Sequence, residues 1–561
     1  MKRLKILIPV FLLMILSIPL KAKLIKTPAE QCNYTKYTQY PELTYFLAQL
    51  DSISNQLQIN IIGQTLTEPK YDLYLCILTE EGVNIPEKLN REKPTLLITA
   101  SQHGNEQSGK EAVLLLMRDI IQCKLKKYLK KINILIIPQC NPYGNLKNRR
   151  RNEQNLDLNR DHVKLESPEV EAIHRVFYRW KPEVTFDLHE KGYGYYMVEI
   201  GTISNINIDP CLQEFARKEI LSSIEKGLKK KGITFHEYLV TQPMGIDSSA
   251  GVTYTYMELK ERPLMKRYST TDINDCRNGL GIYNTLSFIQ EVSSKHNLES
   301  LKERTNYHYY GIVELIKIIS EKGKDINQLV RNCRKEWPLK AQVFSPENRI
   351  HLRMKYAKDP NQLVLEIKKF ERSEERIIGI LNKDKKTGEP LTRSDLKPYS
   401  YPSHIKVITE VVKNWFPLVE PTLTIVSPLG YIIPPEKWEI VDVMLKHGLK
   451  IEIFIKDCSV KVEAYKITEI IPSKYDYLAP QKIEVETLHQ PVIVKKGSFY
   501  VSVAQFAGYL IPILLEPQSQ YGFIRYWKFN LVPSIGDIYP IYRVIEKQKL
   551  PLIDYKKWEK F

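Results

Sequence analysis

The chain has 561 residues, of which 43% are hydrophobic and 26% are charged. This length predicts two to four domains, and the composition excludes a mostly disordered chain, a collagen-like chain and a small disulfide scaffold. The formal net charge is +17, and basic and acidic residues are interspersed along the chain. This charge favours contact with acidic polymers or anionic envelope surfaces, and we expect no nucleic-acid partner.

Residues 1–22 are a basic segment followed by an uncharged apolar run. The run, residues 6–20, would span about 22 Å as a helix, less than the roughly 30 Å hydrocarbon core of a membrane. This predicts a secretory signal peptide cleaved near Ala22, with an uncleaved N-terminal anchor as the alternative. We therefore expect an exported, extracytoplasmic protein, either secreted or held at the cell envelope.

The eight cysteines form no C-x-x-C pair. Several lie in apolar runs, as Cys76 does, and this placement is typical of buried free thiols. We predict that no cysteine is essential.

From about residue 35 to residue 320, short apolar runs alternate with longer amphipathic stretches. Strands are predicted at residues 94–100, 132–138 and 184–189, and helices at residues 111–129 and 167–180. Such repetition predicts an α/β fold with a mixed, mostly parallel sheet and helices on both faces. In sheets of this kind, functional residues gather at the carboxyl ends of strands.

The sequence pattern changes at about residue 340, after a predicted helical stretch at roughly residues 298–335. Proline becomes more frequent and Val, Ile, Lys and Glu alternate, which predicts a mainly antiparallel β region with one helix near residues 435–447. The predicted units are a signal peptide (1–22), an α/β domain (35–335) and a β-rich accessory region of one or two subdomains (340–561).

Polar residues follow two of the predicted strands. Ser101-Gln-His103-Gly-Asn-Glu106 comes after the first strand, and His189 closes the third. Residues three apart at a helix start lie on one side, so a His103 nitrogen and a Glu106 oxygen can meet a single ion. The plainer alternatives are that His103 and Glu106 only cap the helix and that His189 is a core histidine bonded to backbone.

A turn-rich loop lies between these two segments. It carries Asn141-Pro-Tyr-Gly144, Arg149-Arg150-Arg151-Asn152 and Asp157-Leu-Asn159-Arg160. A solvated loop is the plain interpretation of such a charge run. Because the loop joins strands that end at the presumed site, its arginines could instead clamp a carboxylate or stabilise an oxyanion.

These motifs together resemble those of zinc metallocarboxypeptidases of the carboxypeptidase A/B type. The shared features, in order over about residues 35–325, are His103-x-x-Glu106, Asn141-Pro-x-Gly144, Arg150-x-Asn152, Asp157-x-Asn159-Arg160, His189 and Ser287-Phe-Ile-Gln-Glu291. Residues 497–501, 505, 514–517 and 539–543 also resemble the C-terminal extension of larger bacterial members. We predict a structural role for that extension, and the resemblance makes residues 35–335 the catalytic domain.

The resemblance implies a metal site. His103, Glu106 and His189 would bind one Zn²⁺ ion, a ligand set that leaves one coordination position open. Asp157 would be the carboxylate that orients His103, a partner that metal-bound histidines generally need.

The resemblance also implies roles in binding and catalysis. Arg150 would stabilise the oxyanion, with adjacent Arg151 as the rival assignment. Asn159 and Arg160 would hold the terminal carboxylate of the substrate, and Glu291 would be the general base.

A tyrosine that closes over the substrate usually precedes this glutamate in the family. Tyr268 lies at about the right distance, and Tyr254 and Tyr256 are the alternatives.

The implied function is that of an exported zinc-dependent metallocarboxypeptidase, which hydrolyses the last peptide bond of peptides that have a free C-terminal carboxylate. One alternative is a zinc-dependent deacylase of N-acyl amino acids, and another is an envelope enzyme that acts on peptidoglycan stem peptides. A non-enzymatic alternative is an exported binding protein on a degenerate peptidase scaffold. That alternative predicts the loss of a zinc ligand or of the glutamate, yet all four residues are present.

Overall fold

The architecture comes from a computed structural model, which describes residues 24–192, 194–244, 262–268, 270–293, 301–373, 376–381, 397–402, 405–472, 480 and 482–555. The signal peptide predicted at residues 1–22 lies outside these residues.

The helices within the described residues are α1 (Pro28–Gln31), α2 (Tyr40–Ser52), α3 (Ser108–Gln122), α4 (Pro142–Leu146), α5 (Pro168–Trp180), α6 (Pro210–Phe215), α7 (Ser222–Lys229), α8 (Cys276–Gly281), α9 (Leu301–Glu321), α10 (Gly323–Lys340), α11 (Trp438–Lys446) and α12 (Leu510–Leu515). A π-helical turn, Ala216–Leu221, joins α6 to α7. Helix α5 begins as its sequence predicts, because the Ser167 hydroxyl accepts a hydrogen bond from Val170 N and Pro168 occupies the first turn.

The strands of the N-terminal part are β1 (Leu57–Gln64), β2 (Asp72–Leu78), β3 (Thr95–Ala100), β4 (Asn133–Ile137), β5 (Val184–Lys191), β6 (Val198–Thr202), β7 (Phe235–Glu237), β8 (Leu239–Pro243), β9 (Leu264–Tyr268) and β10 (Leu286–Ser293). Eight of them form one sheet in the order β1-β2-β4-β3-β5-β10-β6-β7. The neighbours β4, β3, β5 and β10 run parallel, and β6 runs parallel to β7. The pairs β1/β2, β2/β4 and β6/β10 are antiparallel. The predicted mixed, mostly parallel α/β fold is confirmed.

The central strands of this sheet are covered on both faces. Every residue of β3 and β10 is buried, as are the first six residues of β5. Since successive side chains of a strand point to opposite faces, continuous burial requires packing on each face. Helices α3 and α9 pack against each other, and α8 contacts β5 and β10. The carboxyl ends of β3, β5 and β10 therefore meet at one edge of a rigid core.

The strands of the C-terminal part are β11 (Arg349–Ala357), β12 (Leu365–Arg372), β13 (Arg376–Leu381), β14 (Lys397–Pro402), β15 (Ile405–Val412), β16 (Leu418–Val426), β17 (Gly430–Ile433), β18 (Glu452–Phe454), β19 (Cys458–Ile471), β20 (Lys482–Val494), β21 (Phe499–Ser502), β22 (Tyr542–Val544) and β23 (Leu552–Asp554). Seven of them form an antiparallel sheet in the order β20-β19-β22-β17-β21-β18-β23. The pairs β11/β16, β12/β15 and β13/β14 form separate two-stranded antiparallel sheets. The predicted antiparallel region is confirmed, and α11 lies where a helix was expected.

The two parts share a hydrophobic core. One continuous cluster of buried side chains includes Leu43 of α2 and Ile541 beside β22. Across the junction, the Trp337 indole donates a hydrogen bond to the Val503 carbonyl oxygen at 3.0 Å. The accessory region thus packs on the α/β part, and the domain division near residue 340 stays a prediction.

All eight cysteines are free thiols in the structure. None of the helices in the described part of the chain has the length and apolar character needed to span a bilayer.

Candidate active site

The turn between β3 and α3 carries the first candidate ligands. Glu106 N donates a hydrogen bond to the His103 carbonyl oxygen at 3.1 Å, and the helix begins only at Ser108. The prediction that these two residues open the helix was therefore wrong. A Cβ atom on Gly104 would lie 2.1 Å from the carbonyl carbon of Gly144, so tight packing against the next loop holds this segment in a turn and requires glycine.

Three side chains meet at the carboxyl edge of the sheet. Nδ1 of His103 lies 2.9 Å from Glu106 Oε1, and Nδ1 of His189 lies 2.8 Å from Glu106 Oε2. One ligand atom from each residue falls within 4.8 Å of the others, and both histidines are buried. Two imidazole nitrogens and a carboxylate oxygen at this spacing could hold one metal ion.

Each of the two histidines has a carboxylate oxygen within hydrogen-bond distance of its Nε2 atom. Asp157 Oδ1 lies 3.1 Å from His103 Nε2, and Asp187 Oδ2 lies 2.6 Å from His189 Nε2. Each carboxylate therefore leaves Nδ1 of its ring free to face the other ligands. Asp187 was missed in the sequence, although it precedes His189 by two positions on a strand and so shares its face.

The charges of this cluster keep its carboxylates ionised. Burial raises the pKa of Asp157, but the hydrogen bond and the charge of His103 outweigh it and hold that pKa well below its usual value. Burial likewise raises the pKa of Glu106, and His103 and His189 reverse the effect. A deprotonated carboxylate is the form that binds a metal.

Of the two rival arginines, Arg150 lies at this cluster. Its Nε donates to Asp157 Oδ2 at 2.8 Å, and its Nη1 is 3.2 Å from His103 Nδ1. Its side chain is 42% exposed, so it borders both solvent and the cluster. Arg151 is exposed and donates from Nη1 to the Asn155 carbonyl oxygen at 2.9 Å. The geometry favours Arg150 as the guanidinium that a ligand would meet.

Asn141 holds the arginine loop against the first turn. Its Oδ1 accepts from Gly144 N at 2.8 Å, and its Nδ2 donates to the Gln102 carbonyl oxygen at 3.1 Å and to the Arg150 carbonyl oxygen at 3.3 Å. The Asn-Pro-x-Gly segment is thus a scaffold that fixes the backbone from which the Arg150 side chain leaves.

Asn159 and Arg160 lie in a 3₁₀ turn beside His189. Asn159 Nδ2 is 3.2 Å from His189 Nε2, and Asn159 Oδ1 accepts from Cys276 N at 2.7 Å. Arg160 Nη1 donates to the Asn159 carbonyl oxygen at 2.5 Å. Burial lowers the pKa of Arg160, but the charges of Asp157, Asp272 and Asp275 together outweigh it and keep the guanidinium protonated.

Glu291 is a further predicted site residue at this edge of the sheet. It lies on β10 opposite His189 of β5, and it is 8% exposed. Burial raises its pKa, and although the charge of His189 opposes this, the charge of Glu106 adds to it and the pKa stays above its usual value. A carboxyl group with a raised pKa can accept and return a proton near neutral pH.

Residues 43–197 match the model of a family described as zinc carboxypeptidase. This segment of the chain thus carries the sequence pattern of that family. The chain is similar to Carboxypeptidase 2 of Trichophyton tonsurans, with 25% identity over 500 residues that cover 83% of this chain and 81% of that protein. Carboxypeptidase 2 of Trichophyton rubrum is 24% identical over 479 residues, which cover 82% of this chain and 78% of that protein.

Solved metallocarboxypeptidases show a weaker likeness. A metallo-carboxypeptidase from Burkholderia cenocepacia has a TM-score of 0.37 and 17% identity, covering 50% of this chain and 69% of its own. Carboxypeptidase A from Helicoverpa armigera has a TM-score of 0.39 and 13% identity, covering 52% of this chain and 75% of its own. Because these TM-scores are below 0.5, the fold class rests on the strand order of the sheet itself.

The match of residues 43–197, the likeness to the two Carboxypeptidase 2 proteins and the His-Glu-His group together support a metallocarboxypeptidase, a hydrolase whose cofactor is zinc. The donor set fits that ion, because two histidines and a glutamate, with their far ring nitrogens held by carboxylates, suit a catalytic zinc site. A degenerate, non-catalytic scaffold would have lost a zinc ligand or the glutamate. All four residues, which are His103, Glu106, His189 and Glu291, are present at one edge of the sheet.

Tyr268 lies at the end of β9. Its ring packs edge-on against Trp415, with centroids 4.8 Å apart, and the Arg217 guanidinium lies over it at 5.0 Å. These contacts belong to a small apolar cluster and not to the His103–Glu106–His189 group, so closure of Tyr268 over a substrate stays a prediction. Tyr254 and Tyr256 lie outside the described residues.

Tyr238 is a site residue that the sequence did not reveal. Burial raises its pKa first of all, and the charge of Glu291 adds to the effect, while Arg277 and Arg160 oppose it. The phenol therefore lies close enough to Glu291, Arg277 and Arg160 for their charges to act on it. Tyr238 directly follows β7. Strand β7 pairs with β6, and β6 pairs with β10, which carries Glu291, so the sheet brings Tyr238 and Glu291 together.

Proposed function

We propose that this protein is an exported zinc carboxypeptidase that releases the C-terminal residue of peptides. The observation that carries the proposal is the convergence of His103, Glu106 and His189 beside Glu291 at the carboxyl edge of one sheet. Export is supported by the basic and apolar composition of residues 1–22. An envelope location would suit the net positive charge.

In this proposal His103, Glu106 and His189 hold the ion, while Asp157 and Asp187 fix the two imidazole rings. Zinc, when bound, supplies a Lewis acid that polarises the scissile carbonyl and lowers the pKa of water.

The reaction itself is carried by Glu291 and Arg150. A Glu291 carboxylate oxygen takes a proton from the attacking water as the new bond forms between the water oxygen and the carbonyl carbon. Arg150 donates an N–H to the negative charge that develops on the carbonyl oxygen. Glu291 then gives the proton to the amine nitrogen as the carbon–nitrogen bond breaks, so the products are a shortened peptide and a free amino acid.

Asn159 and Arg160 would restrict this chemistry to the last peptide bond. The Arg160 guanidinium stays charged, and the Asn159 side chain is fixed by Cys276 N next to His189. A terminal carboxylate held here would place the preceding peptide bond at the metal cluster.

The test is metal analysis of the purified full chain together with mass-spectrometric digestion of a peptide library. We expect one zinc ion per chain and products shortened by one residue at the C-terminus. N-acyl amino acids and peptidoglycan stem peptides are assayed in parallel. Hydrolysis of acyl-amino acids alone, internal cleavage, or a zinc-loaded protein inert toward every peptide would overturn the proposal.

A further inference from the structure

Arg277, in the first turn of α8, is a buried cation whose guanidinium is only partly paired. The side chain is 1% exposed, and its Nη2 donates to the Thr270 carbonyl oxygen at 3.0 Å and to Asp275 Oδ2 at 2.9 Å. Nε and Nη1 have no hydrogen-bond partner among the described residues. Buried donors in native proteins are normally matched by an acceptor, so this side of Arg277 lacks one.

Arg277 is next to the residues proposed to hold the substrate carboxylate. The preceding residue, Cys276, donates its backbone N–H to Asn159 Oδ1 at 2.7 Å, and Asn159 is followed by Arg160. The last residue of a peptide carries its terminal carboxylate and its side chain on the same Cα. A side chain that leaves a Cα anchored at Asn159 and Arg160 meets the neighbours of those two residues, and the start of α8 is one of them.

Three guanidinium groups lie near this position. The guanidinium groups of Arg160, Arg267 and Arg277 all act on the Tyr238 phenol. Arg267 is already engaged, because its Nε donates to Gln242 Oε1 at 2.7 Å and its Nη1 to a backbone oxygen. Arg277 thus keeps free donors.

Three carboxylates lie close to these arginines. Asp275 pairs with Arg277 Nη2 and caps α8 through its other oxygen, which accepts from Asn278 N at 2.8 Å. Asp272 acts on Arg160. The charge of Arg277 also acts on Glu237. None of the three carboxylates provides an acceptor for Nε or Nη1 of Arg277.

We propose that Arg277 recognises an acidic side chain on the last residue of the substrate, so that the enzyme prefers peptides that end in Asp or Glu. The inference rests on the function proposed above. An apolar side chain would leave the buried donors unmatched, and a lysine or arginine side chain would bring a cation and further donors to them. Arg277 is therefore a specificity-determining residue.

The first experiment compares four peptides that differ only in the last residue, which is Glu, Gln, Leu or Lys. With the zinc-loaded full chain we expect kcat/KM for Glu to exceed that for isosteric Gln by about 10- to 100-fold, the usual contribution of a hydrogen bond to a charged group. A Glu:Gln ratio near one, or faster release of Leu or Lys, would overturn the inference while the carboxypeptidase function stands. Failure to hydrolyse all four peptides would overturn that function and the inference with it.

The second experiment measures the same ratio in variants. Arg277→Gln should reduce the Glu:Gln ratio to near one and leave release of Leu little changed, whereas Arg277→Lys should keep a preference for Glu. The ratio compares two peptides on one protein, so a lower folded fraction does not alter it. Arg267→Gln is the matched control, because its guanidinium is equally buried but already paired. An equal fall of the ratio in the control would assign the preference to the general positive field and overturn the role of Arg277.

Discussion

Glu291 lies directly opposite His189 in the parallel register of β10 and β5. Residues opposite each other in a parallel pair project from the same face of the sheet, so the proposed general base and a proposed zinc ligand share one face at the same height. Both strands are buried along most of their length, which leaves these two side chains little freedom to separate. The spacing between His189 and Glu291 is therefore set by the sheet.

The first prediction concerns this pair. Glu291→Gln should lower kcat by about 10²- to 10⁴-fold, because the amide cannot accept the proton of the attacking water, while zinc stays bound. The measurements are steady-state turnover and zinc content by mass spectrometry. Glu183→Gln is the control, since Glu183 is a buried glutamate at the opposite end of β5 that accepts a hydrogen bond from Thr95 N. Near-normal turnover of a zinc-loaded Glu291→Gln enzyme would refute the role of this residue.

Much of the sheet and of the metal cluster could be predicted from sequence because the signals are local. Runs of buried residues mark β3, β5 and β10, and His189 follows such a run directly. The helical start proposed for His103 failed for a non-local reason. The backbone there packs on Gly144, about forty residues away, and a helix would not allow that approach.

The rest of the site depends on contacts between distant segments. Asp187 was recognisable in principle from the two-residue period of a strand, but Tyr238 and Arg277 were not. Tyr238 is brought near Glu291 by the pairing of β7 with β6, and Arg277 is brought near Asn159 by the hydrogen bond that Cys276 N donates to it. No spacing rule of a single segment encodes such contacts.

The second prediction is that Asp187→Asn weakens zinc affinity by about 10- to 100-fold. The Asp187 carboxylate, 2.6 Å from His189 Nε2, fixes the ring and increases the basicity of the nitrogen that faces the ion. Competition with a chromogenic chelator measures the zinc Kd. Asp209→Asn is the control, because Asp209 caps α6 by accepting from Cys211 N and is not one of the residues grouped around the candidate metal position. Unchanged zinc affinity in Asp187→Asn would contradict the prediction.

The third prediction separates the two adjacent arginines. Arg150→Ala should lower kcat by about 10²- to 10³-fold, the usual loss when one oxyanion donor is removed. Arg151→Ala should leave kcat nearly unchanged, since its guanidinium bonds only to the Asn155 carbonyl oxygen in the described part of the chain. Steady-state kinetics on one peptide decides between them. A larger effect at Arg151 would reverse the assignment.

The fourth prediction tests the carboxylate site. The parent enzyme should hydrolyse a peptide with a free C-terminus far faster than its C-terminal amide, because only the carboxylate pairs with Arg160. Arg160→Gln should reduce kcat/KM for the free peptide by about 10- to 100-fold and bring it close to that of the amide. Arg349→Gln, a change of an exposed arginine, is the control. Retention of full discrimination by Arg160→Gln would show that another residue binds the carboxylate.

The fifth prediction concerns acid stability and the junction of the two parts. His447 is buried with its Nδ1 2.8 Å from the Tyr283 hydroxyl and its Nε2 3.0 Å from the Val163 carbonyl oxygen. Burial lowers its pKa to about 4, and the backbone hydrogen bond only partly offsets this. Between pH 6.5 and pH 4 the unfolded chain thus binds a proton that the folded chain does not. The stabilising contribution of neutral His447 is complete above pH 6.5 and is lost as the pH falls toward 4.

The loss attributable to this one histidine is on the order of 3 kcal/mol in the free energy of unfolding. His447→Gln removes the titrating group, so its thermal unfolding midpoint should fall less between pH 7.5 and pH 4.5 than that of the parent. His489→Gln should behave like the parent, because the His489 side chain is 65% exposed. Parallel declines of the midpoint in the parent and in His447→Gln would mean that other groups cause the acid sensitivity. His447 joins the β-rich region to the α/β part through Tyr283 and Val163. A smaller decline of the midpoint in His447→Gln would therefore show that acid weakens a contact at the junction of the two parts.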